Sequence, residues 1–348
     1  GGYRKVFLIF WTWVCVVGTF ALYFPLPGQV VAALTCFIIA NIGFEMGGVF
    51  CNAYLPDIAP REKIGRVSGY GWSFGYAGGL LALALCFILF VQPEVPAFGF
   101  SRELGENIRA TNLFIAIWFA IFSIPTFLWV KDAKKPQRIN RHIISSSFSQ
   151  LKSTLGEIRK YKQMTRFLLA RLFYNDGLIT IFAFGGIYAS GTFGFTFNEI
   201  FLFGIVLNIT AGLGAFSLGF LDDVLGGKKT IQLSNIGLIV ACILAVTTHS
   251  KDVFWFSGAL IGIFAGPNQS SSRSLMARFI PKEKENEFFG FFAFSGKATA
   301  FIGPLLLGVI TEVFESQRLG IAVVAVLLAL GAILLSRVDE DEGIAAAS

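Results

Sequence analysis

The sequence predicts an all-α membrane protein, about ten transmembrane helices arranged as two related bundles. Three observations carry that prediction. Of the 348 residues, 55% are hydrophobic and only 14% charged, where soluble domains carry roughly 25% charged residues; the mean hydropathy is +0.68. Apolar runs recur along the chain that reach the roughly 20 residues a helix needs to cross a bilayer. The chain also repeats itself. Pro60-Arg61-Glu62-Lys63, leading to Gly69 and Gly75, recurs 221 residues later as Pro281-Lys282-Glu283-Lys284, leading to Gly290 and Gly296. Gly1-Gly2-Tyr3-Arg4-Lys5 is echoed by Gly226-Gly227-Lys228-Lys229-Thr230 at an offset of 225 residues. Long internal repeats in an apolar chain mark bundles duplicated within one polypeptide.

The elements follow in order. Val6–Phe24 is the first predicted span, closed by the turn Pro25-Leu26-Pro27-Gly28. Gln29–Leu55 is the second and carries Glu45. Val67–Val91 and Ala110–Val130 are the third and fourth, separated by a longer polar loop. Lys131–Thr165 is a strongly basic linker. Six spans come after it: Arg166–Ser190, Glu199–Leu221, Thr230–Thr248, Val253–Phe279, Phe288–Val313 and Leu319–Ser336. The expected domains are therefore a bundle over 1–130, a linker over 131–165, a bundle over 166–337 and an acidic tail over 338–348, read as disordered because it is polar and short of apolar residues. In the linker, Phe148, Leu151, Leu155 and Ile158 sit at helical spacing among Lys152, Arg159, Lys160 and Lys162, which fits either an amphipathic helix on the inner leaflet or a plain flexible connection.

Charge gives the orientation. The net charge of +6 would suit nucleic acid, but the basic residues are confined to short loops, the pattern of a membrane protein obeying the positive-inside rule. Arg4, Lys5, Arg61, Lys63, Arg66, the linker, Lys228, Lys229, Arg278, Lys282, Lys284 and Arg337 fall on one side; Arg102, Arg109, Lys251 and Arg318 fall on the other. The first set is cytoplasmic. The five cysteines lie in apolar runs without motif spacing and read as small hydrophobes. Neither a nucleophile–base pair nor a metal-ligand pattern appears, so the chain reads as no enzyme, with no cofactor.

The loop Gly219-Phe220-Leu221-Asp222-Asp223-Val224-Leu225-Gly226-Gly227-Lys228-Lys229 resembles the conserved signature between the second and third helix of each half in the major facilitator superfamily. More specific are Asn52-Ala53-Tyr54-Leu55-Pro56-Asp57, Gly65-Arg66-Val67-Ser68, Asp176-Gly177, Phe182-Ala183-Phe184-Gly185-Gly186-Ile187-Tyr188, Ser272-Arg273-Ser274-Leu275 and Ala293-Phe294-Ser295-Gly296-Lys297-Ala298-Thr299. Together these resemble the vacuole-effluxer, autophagy-related branch of that superfamily, which has bacterial members. The resemblance implies the two-bundle fold of twelve helices, a midplane cavity worked by alternating access, and a cytoplasmic gate at Asp222, Asp223, Gly226, Lys228 and Lys229. It also implies release of amino acids, carried over from fungal members. Four spans precede the linker and six follow it, and Gly1–Lys5 is similar to the end of a first-half copy of the signature. The chain is accordingly expected to be an N-terminally truncated piece of a twelve-helix protein.

Candidate site residues come from polarity inside apolar helices. A charge at mid-bilayer costs about 2.5–3.5 kcal/mol on insertion scales, so it usually faces a cavity. Asn41, Glu45, Gly48 and Asn52 fall on one helix face; Glu45 reads as a substrate contact or proton carrier, or else as an interhelical hydrogen bond. Asp176, beside Asn175 and Gly177, reads as a partner for Lys297, as a seat for a substrate ammonium, or as a fixed structural ion pair. Lys297 lies too deep to snorkel and needs an anion, either Asp176, Glu45 or a substrate carboxylate. Gly266-Pro267-Asn268-Gln269 predicts a bent, opened helix; Asn208, Asn268 and Gln269 join the pathway. Arg273, nearer the cytoplasm, reads as a gate or a headgroup anchor. Gly71, Gly75 and Gly79 form a small-residue strip explained by close helix packing; it is similar to the antiporter signature of drug-efflux members, except that Tyr76 stands where that pattern has Pro. The expected function is secondary transport of a small solute, an amino acid, with protons as a coupling partner. The alternatives are proton-coupled drug or metabolite antiport and a non-transporting scaffold or receptor. The expected setting is a lipid bilayer, the bacterial inner membrane or a vacuolar membrane, with the protein a monomer that binds no nucleic acid.

Overall fold

The computed structural model describes residues 3–132, 161–281 and 284–347. It is built from helices, and the described residues contain no β-strand. The chain divides into two compact units, one of Gly1–Tyr54 with Gly78–Arg141 and one of Leu55–Ala77 with His142–Ser348.

The first unit holds α1 (Arg4–Ala21), α2 (Val30–Asn52) and, after the short α3 (Leu55–Ile58) of the second unit, the C-terminal part of α4 (Ile64–Cys86) and α5 (Glu106–Trp129). Helix α1 packs against α2 and α5. Its approach to α2 is set by glycine: a Cβ at Gly18 would lie 2.8 Å from the backbone nitrogen of Ala40, and one at Gly43 would meet the backbone of Cys15. The ends of this unit are tied by polar groups. Arg4 donates to the Ala53 carbonyl at 2.7 Å, and Asp132 accepts from the Tyr54 hydroxyl at 2.6 Å and the Lys5 amide at 3.2 Å. At the opposite end Tyr23 donates to Glu106 at 2.8 Å, and Arg109 donates to the Tyr23 carbonyl at 2.8 Å.

The second unit holds the start of α4, then α6 (Lys162–Phe193), α7 (Phe197–Leu225), α8 (Gly227–Thr247), α9 (Lys251–Phe279), α10 (Glu285–Lys297), α11 (Ile302–Val313), α12 (Gln317–Ser336) and α13 (Glu340–Ala347). Helix α9 packs on α7 and α8, and α12 on α6, α8 and α11. The α7 start is a capping box, with Thr196 and Glu199 satisfying each other's backbone amides.

Each of the ten predicted spans is helical, and nine described helices or helix pairs are long and apolar enough to cross a membrane. The tenth, α9, has 29 residues and so spans about 43 Å, but it is rich in polar residues. Ser257, Asn268, Ser270, Ser271, Ser272 and Ser274 are all buried against neighbouring helices. Four expectations are corrected. The run Phe288–Val313 is two helices, α10 and α11, separated at 298–301; Pro304 lacks an amide and its ring clashes with the carbonyl four residues back. By contrast α9 continues unbroken through Gly266-Pro267. The acidic tail is helical and docked, with Gly343 and Ala347 buried. The glycine strip is not a packing strip at Gly75 or Gly79, where a Cβ would meet nothing within 4 Å; close packing falls earlier, where a Cβ at Gly219 would lie 3.2 Å from Arg66 Cα and 3.3 Å from Gly69 Cα. The amphipathic segment with Phe148, Leu151, Leu155 and Ile158 lies outside the described residues.

Overpacking a well-filled contact costs about 1–3 kcal/mol. Gly43→Val is therefore expected to lower the unfolding temperature of the detergent-solubilised protein by several degrees. Gly48→Val, on the same helix with no neighbour for its Cβ, should leave it within error of the parent.

Candidate functional site

Two clusters of charged side chains organise the second unit, and both are placed at helix ends. A helix terminus leaves backbone N–H or C=O groups without partners, and inside a bilayer no water supplies them. The first cluster surrounds the break between α10 and α11. Asp176, on α6 and 2% exposed, accepts the Gly303 amide through Oδ2 at 3.0 Å, which places a carboxylate at the N-terminus of α11. Its Oδ1 is buried without a hydrogen-bond partner. One turn earlier on α6, Arg171 donates to the Phe292 carbonyl at 2.7 Å and to Ser295 Oγ at 2.9 Å, with its guanidinium over the Phe292 ring. Asn175 donates to the Gly296 carbonyl at 2.9 Å, and Thr299 donates to the Leu172 carbonyl at 3.3 Å. The carbonyls at the end of α10 thus face donors, and the amide at the start of α11 faces an acceptor. Lys297 is the last residue of α10 and exposed. Asp176 does not pair with Lys297: its carboxylate is given to Gly303.

A buried polar relay runs beside this break. Tyr174 and Ser272 share a hydrogen bond of 2.8 Å, Ser272 donates to the Asn268 carbonyl at 2.6 Å, and Asn268 donates to Asn235 Oδ1 at 2.8 Å. Asn268 therefore joins α8 to α9 inside the bundle, on a helix that continues through Gly266-Pro267. Gln269, one residue on, interacts with Tyr76 of α4. Asn208 donates to Gly204 of its own helix at 2.8 Å. Asn41, Glu45 and Asn52 lie on α2 in the first unit, with Asn41 exposed and the other two half-buried.

The second cluster is built on the loop between α7 and α8. Asp222 is fully buried, paired with Arg278 of α9 at 2.7 Å, and accepts from Ser274 Oγ. Asp223 turns the other way and holds the first turn of α4. It accepts the Gly65 amide at 2.8 Å, the Arg66 amide at 3.3 Å and the Arg66 side chain at 2.6 Å. Arg278 also lies 3.7 Å from Asp223 and 3.3 Å from Glu340. Arg273 reaches the same helix start, donating to Ser68 Oγ at 2.8 Å and to the Ser68 carbonyl at 2.7 Å, while Ser68 donates to Ser270. Gly226 at φ +91° turns the chain into α8, Lys228 donates to the Ser336 carbonyl at 3.1 Å, and Lys229 is exposed. Sequence reasoning singled out Asp222, Asp223 and Arg273 but missed Arg278, Ser68 and Glu340 as their partners. The signal for the helix contact was available in Gly65-x-x-x-Gly69 and Ala215-x-x-x-Gly219, small residues at one-turn spacing.

The model of the family described as vacuole effluxer Atg22 like matches residues 1–348. The chain belongs to that family. It is 28% identical to the MFS-type transporter YxiO of Bacillus subtilis over 98% of this chain and 78% of YxiO. It is 24% identical to autophagy-related protein 22-1 of Aspergillus fumigatus over 80% of this chain and 48% of that protein, so it spans about half the length of the fungal relative. Among solved structures, the major facilitator superfamily transporter FucP, in its outward conformation, matches with a TM-score of 0.76 at 14% identity, covering 97% of this chain and 83% of FucP. The proton:xylose symporter XylE matches with a TM-score of 0.76 at 13% identity over 99% and 83% of the two chains. These likenesses give the fold. This Atg22-like chain is a multi-pass membrane protein of the major facilitator superfamily, a transporter and not an enzyme.

Two stability predictions follow from the clusters. Asp176→Ala leaves the Gly303 amide buried and unpaired, a loss of about 1–3 kcal/mol, whereas Asp176→Asn keeps an acceptor; thermal unfolding should separate the two. Asp222→Ala leaves Arg278 without its nearest carboxylate, and breaking a buried pair from one side costs about 3–5 kcal/mol. Its unfolding temperature should fall further than that of Lys229→Ala, which removes an exposed side chain.

Proposed function

We propose that this Atg22-like chain moves a small zwitterion, a neutral amino acid, out across its membrane by alternating access. The observation that carries the reading is the interrupted helix α10–α11. Broken helices in transporters present backbone ends and charged side chains to solutes and ions near the bilayer midplane. Here the break brings a buried acid with one free oxygen, Asp176, together with Asn175 and Arg171, and Lys297 ends the first half-helix. Cationic and acidic groups at one break suit the carboxylate and ammonium of an amino acid. Glu45, with Asn41 and Asn52 along its helix, is assigned to the same pathway as a proton carrier, and Asn208, Asn268 and Gln269 as its polar lining. Asp222, Asp223, Gly226, Lys228, Lys229 and Arg273 form the cytoplasmic gate: while Asp223 holds the amides of Gly65 and Arg66, the start of α4 is latched to the α7–α8 loop. The family's description as a vacuole effluxer supports efflux, and the relation to YxiO supports the cytoplasmic membrane for a bacterial protein.

The test is counterflow of labelled neutral amino acids in proteoliposomes holding the full-length protein. Saturable counterflow of at least one is expected, falling about tenfold or more in Asp176→Asn, the rate change of roughly 1.4 kcal/mol in barrier height. Exchange of drugs or metabolites alone would shift the reading to antiport, and no flux with any solute would leave a scaffold. Glu45→Gln should flatten the pH dependence of transport; unchanged uptake and pH dependence would remove Glu45 as the proton carrier.

A further inference from the structure

The C-terminal helix α13 does something that an acidic solvated tail would not. Glu340, its first residue, reaches the N-terminus of α8 with both carboxylate oxygens. Oε1 accepts the Gly227 amide and Oε2 the Lys228 amide, each at 2.9 Å. The same Oε1 lies 3.3 Å from Arg278, whose other contacts are Asp222 and Asp223. One carboxylate therefore binds both the exit of the gate loop and the arginine on which its two aspartates converge. The fit is close on the loop side. A Cβ at Gly226 would stand 2.7 Å from Oε2, and the φ of +91° there already favours glycine. The tail is held at further points. Gln163 of α6 donates to Glu342 and accepts the Asp339 amide at 2.9 Å, Arg166 donates to the Arg337 carbonyl at 3.2 Å, and a Cβ at Gly343 would run into the ring of Phe279. Glu340, Glu342 and Arg278, with Arg61, Arg166 and Lys229, line an open cleft of about 740 Å³ that holds side chains of both charges.

We infer that Glu340 is a positioning residue for the gate. The C-terminal helix is a strut that fixes the α7–α8 loop and Arg278 so that Asp223 can hold the start of α4. The inference rests on the reading of that loop as a gate that opens during transport. Charge explains why a carboxylate is needed. Two backbone amides at a helix N-terminus carry positive potential, and Arg278 shares its Nη1 between Asp222 at 2.7 Å and Glu340 at 3.3 Å while Nη2 faces Asp223, so Glu340 is one of three anions that seat the guanidinium. With Glu340 neutral, the α8 amides lose an ionised acceptor and Arg278 keeps only its two aspartates.

The experiment reads gate opening directly. In the full-length protein with its native cysteines replaced by alanine, Ser270→Cys is the reporter, since Ser270 is buried beneath the gate beside Ser68. Its labelling rate by a membrane-impermeant maleimide from the cytoplasmic side is compared in Asp223→Asn, Glu340→Gln and Glu340→Asp, with unfolding temperature measured alongside. Asp223→Asn tests the gate itself. Both Asp223→Asn and Glu340→Gln are expected to raise the labelling rate roughly five- to twenty-fold, the shift that follows when a closed state loses a charge-assisted contact. Glu340→Asp should restore part of the slow labelling. If Asp223→Asn labels faster and Glu340→Gln labels at the parental rate, the strut is overturned and the gate stands. If neither accelerates labelling, the gate reading falls and takes the strut with it. A rise in Glu340→Gln matched by an equal rise at a reporter in the first unit, such as Cys15 retained alone, would show general loosening and also overturn it.

Discussion

Helix ends buried in an apolar bundle need partners for their backbone groups, and the arrangement of charge in this protein follows from that constraint. Carboxylates sit at helix N-termini, among them Asp223 on α4, Asp176 on α11 and Glu340 on α8. Cations sit at C-terminal ends. Arg171 covers the end of α10, Arg166 and Lys228 that of α12, and Arg4 that of α2. The four cations on the side that the positive-inside rule makes external do the same. Arg318 donates to the Val246 and Thr248 carbonyls, Arg109 to Tyr23, Arg102 to the carbonyls of 91–93, and Lys251 to Gly194. Charges that an orientation rule counts only by side thus have a second duty, closing helix ends with charge-assisted hydrogen bonds.

The same chemistry separates rigid from movable contacts. The α1–α2 and α7–α9 crossings are fixed by backbone approach at glycines, and such contacts are lost together or not at all. The latch at Asp223 is different. It is made of amides and one guanidinium on a helix start, groups that water can take over once the loop withdraws. A contact that exchanges partners at little net cost suits a gate better than an apolar seam does. The break at Asp176 has the same character, because its free Oδ1 leaves one acceptor available to a proton, an ammonium group or a water.

Much of this was legible in the sequence, for physical reasons that can be named. The helices were, since each needs a long apolar run whatever it packs against. The acidic pair Asp222-Asp223 stood out by its resemblance to a known signature loop, and the structure gives it partners in Arg278 and the start of α4. What failed was local. Gly266-Pro267 looks like a break and is not: α9 is packed along its length by α7 and α8, with Gly266 set against the backbone of Ala211. Pro304 was passed over, yet there the chain does part, because Asp176 and Asn175 wait to take its backbone groups. The tail over 338–348 reads as solvated from composition alone. Its docking depends on Gln163, Arg278 and the amides of Gly227 and Lys228, which lie more than sixty residues away in sequence and leave no local trace.

The central claim is that carboxylates on helix N-termini hold the proposed gate, and the start of α4 and the α7–α8 loop are where it can be measured. Spin labels at Lys63 and Lys229, both exposed, report their separation by pulsed dipolar spectroscopy in lipid nanodiscs. The account predicts one dominant short distance in the parent and a second, longer population in Asp223→Asn. Identical distance distributions in the two proteins would contradict it.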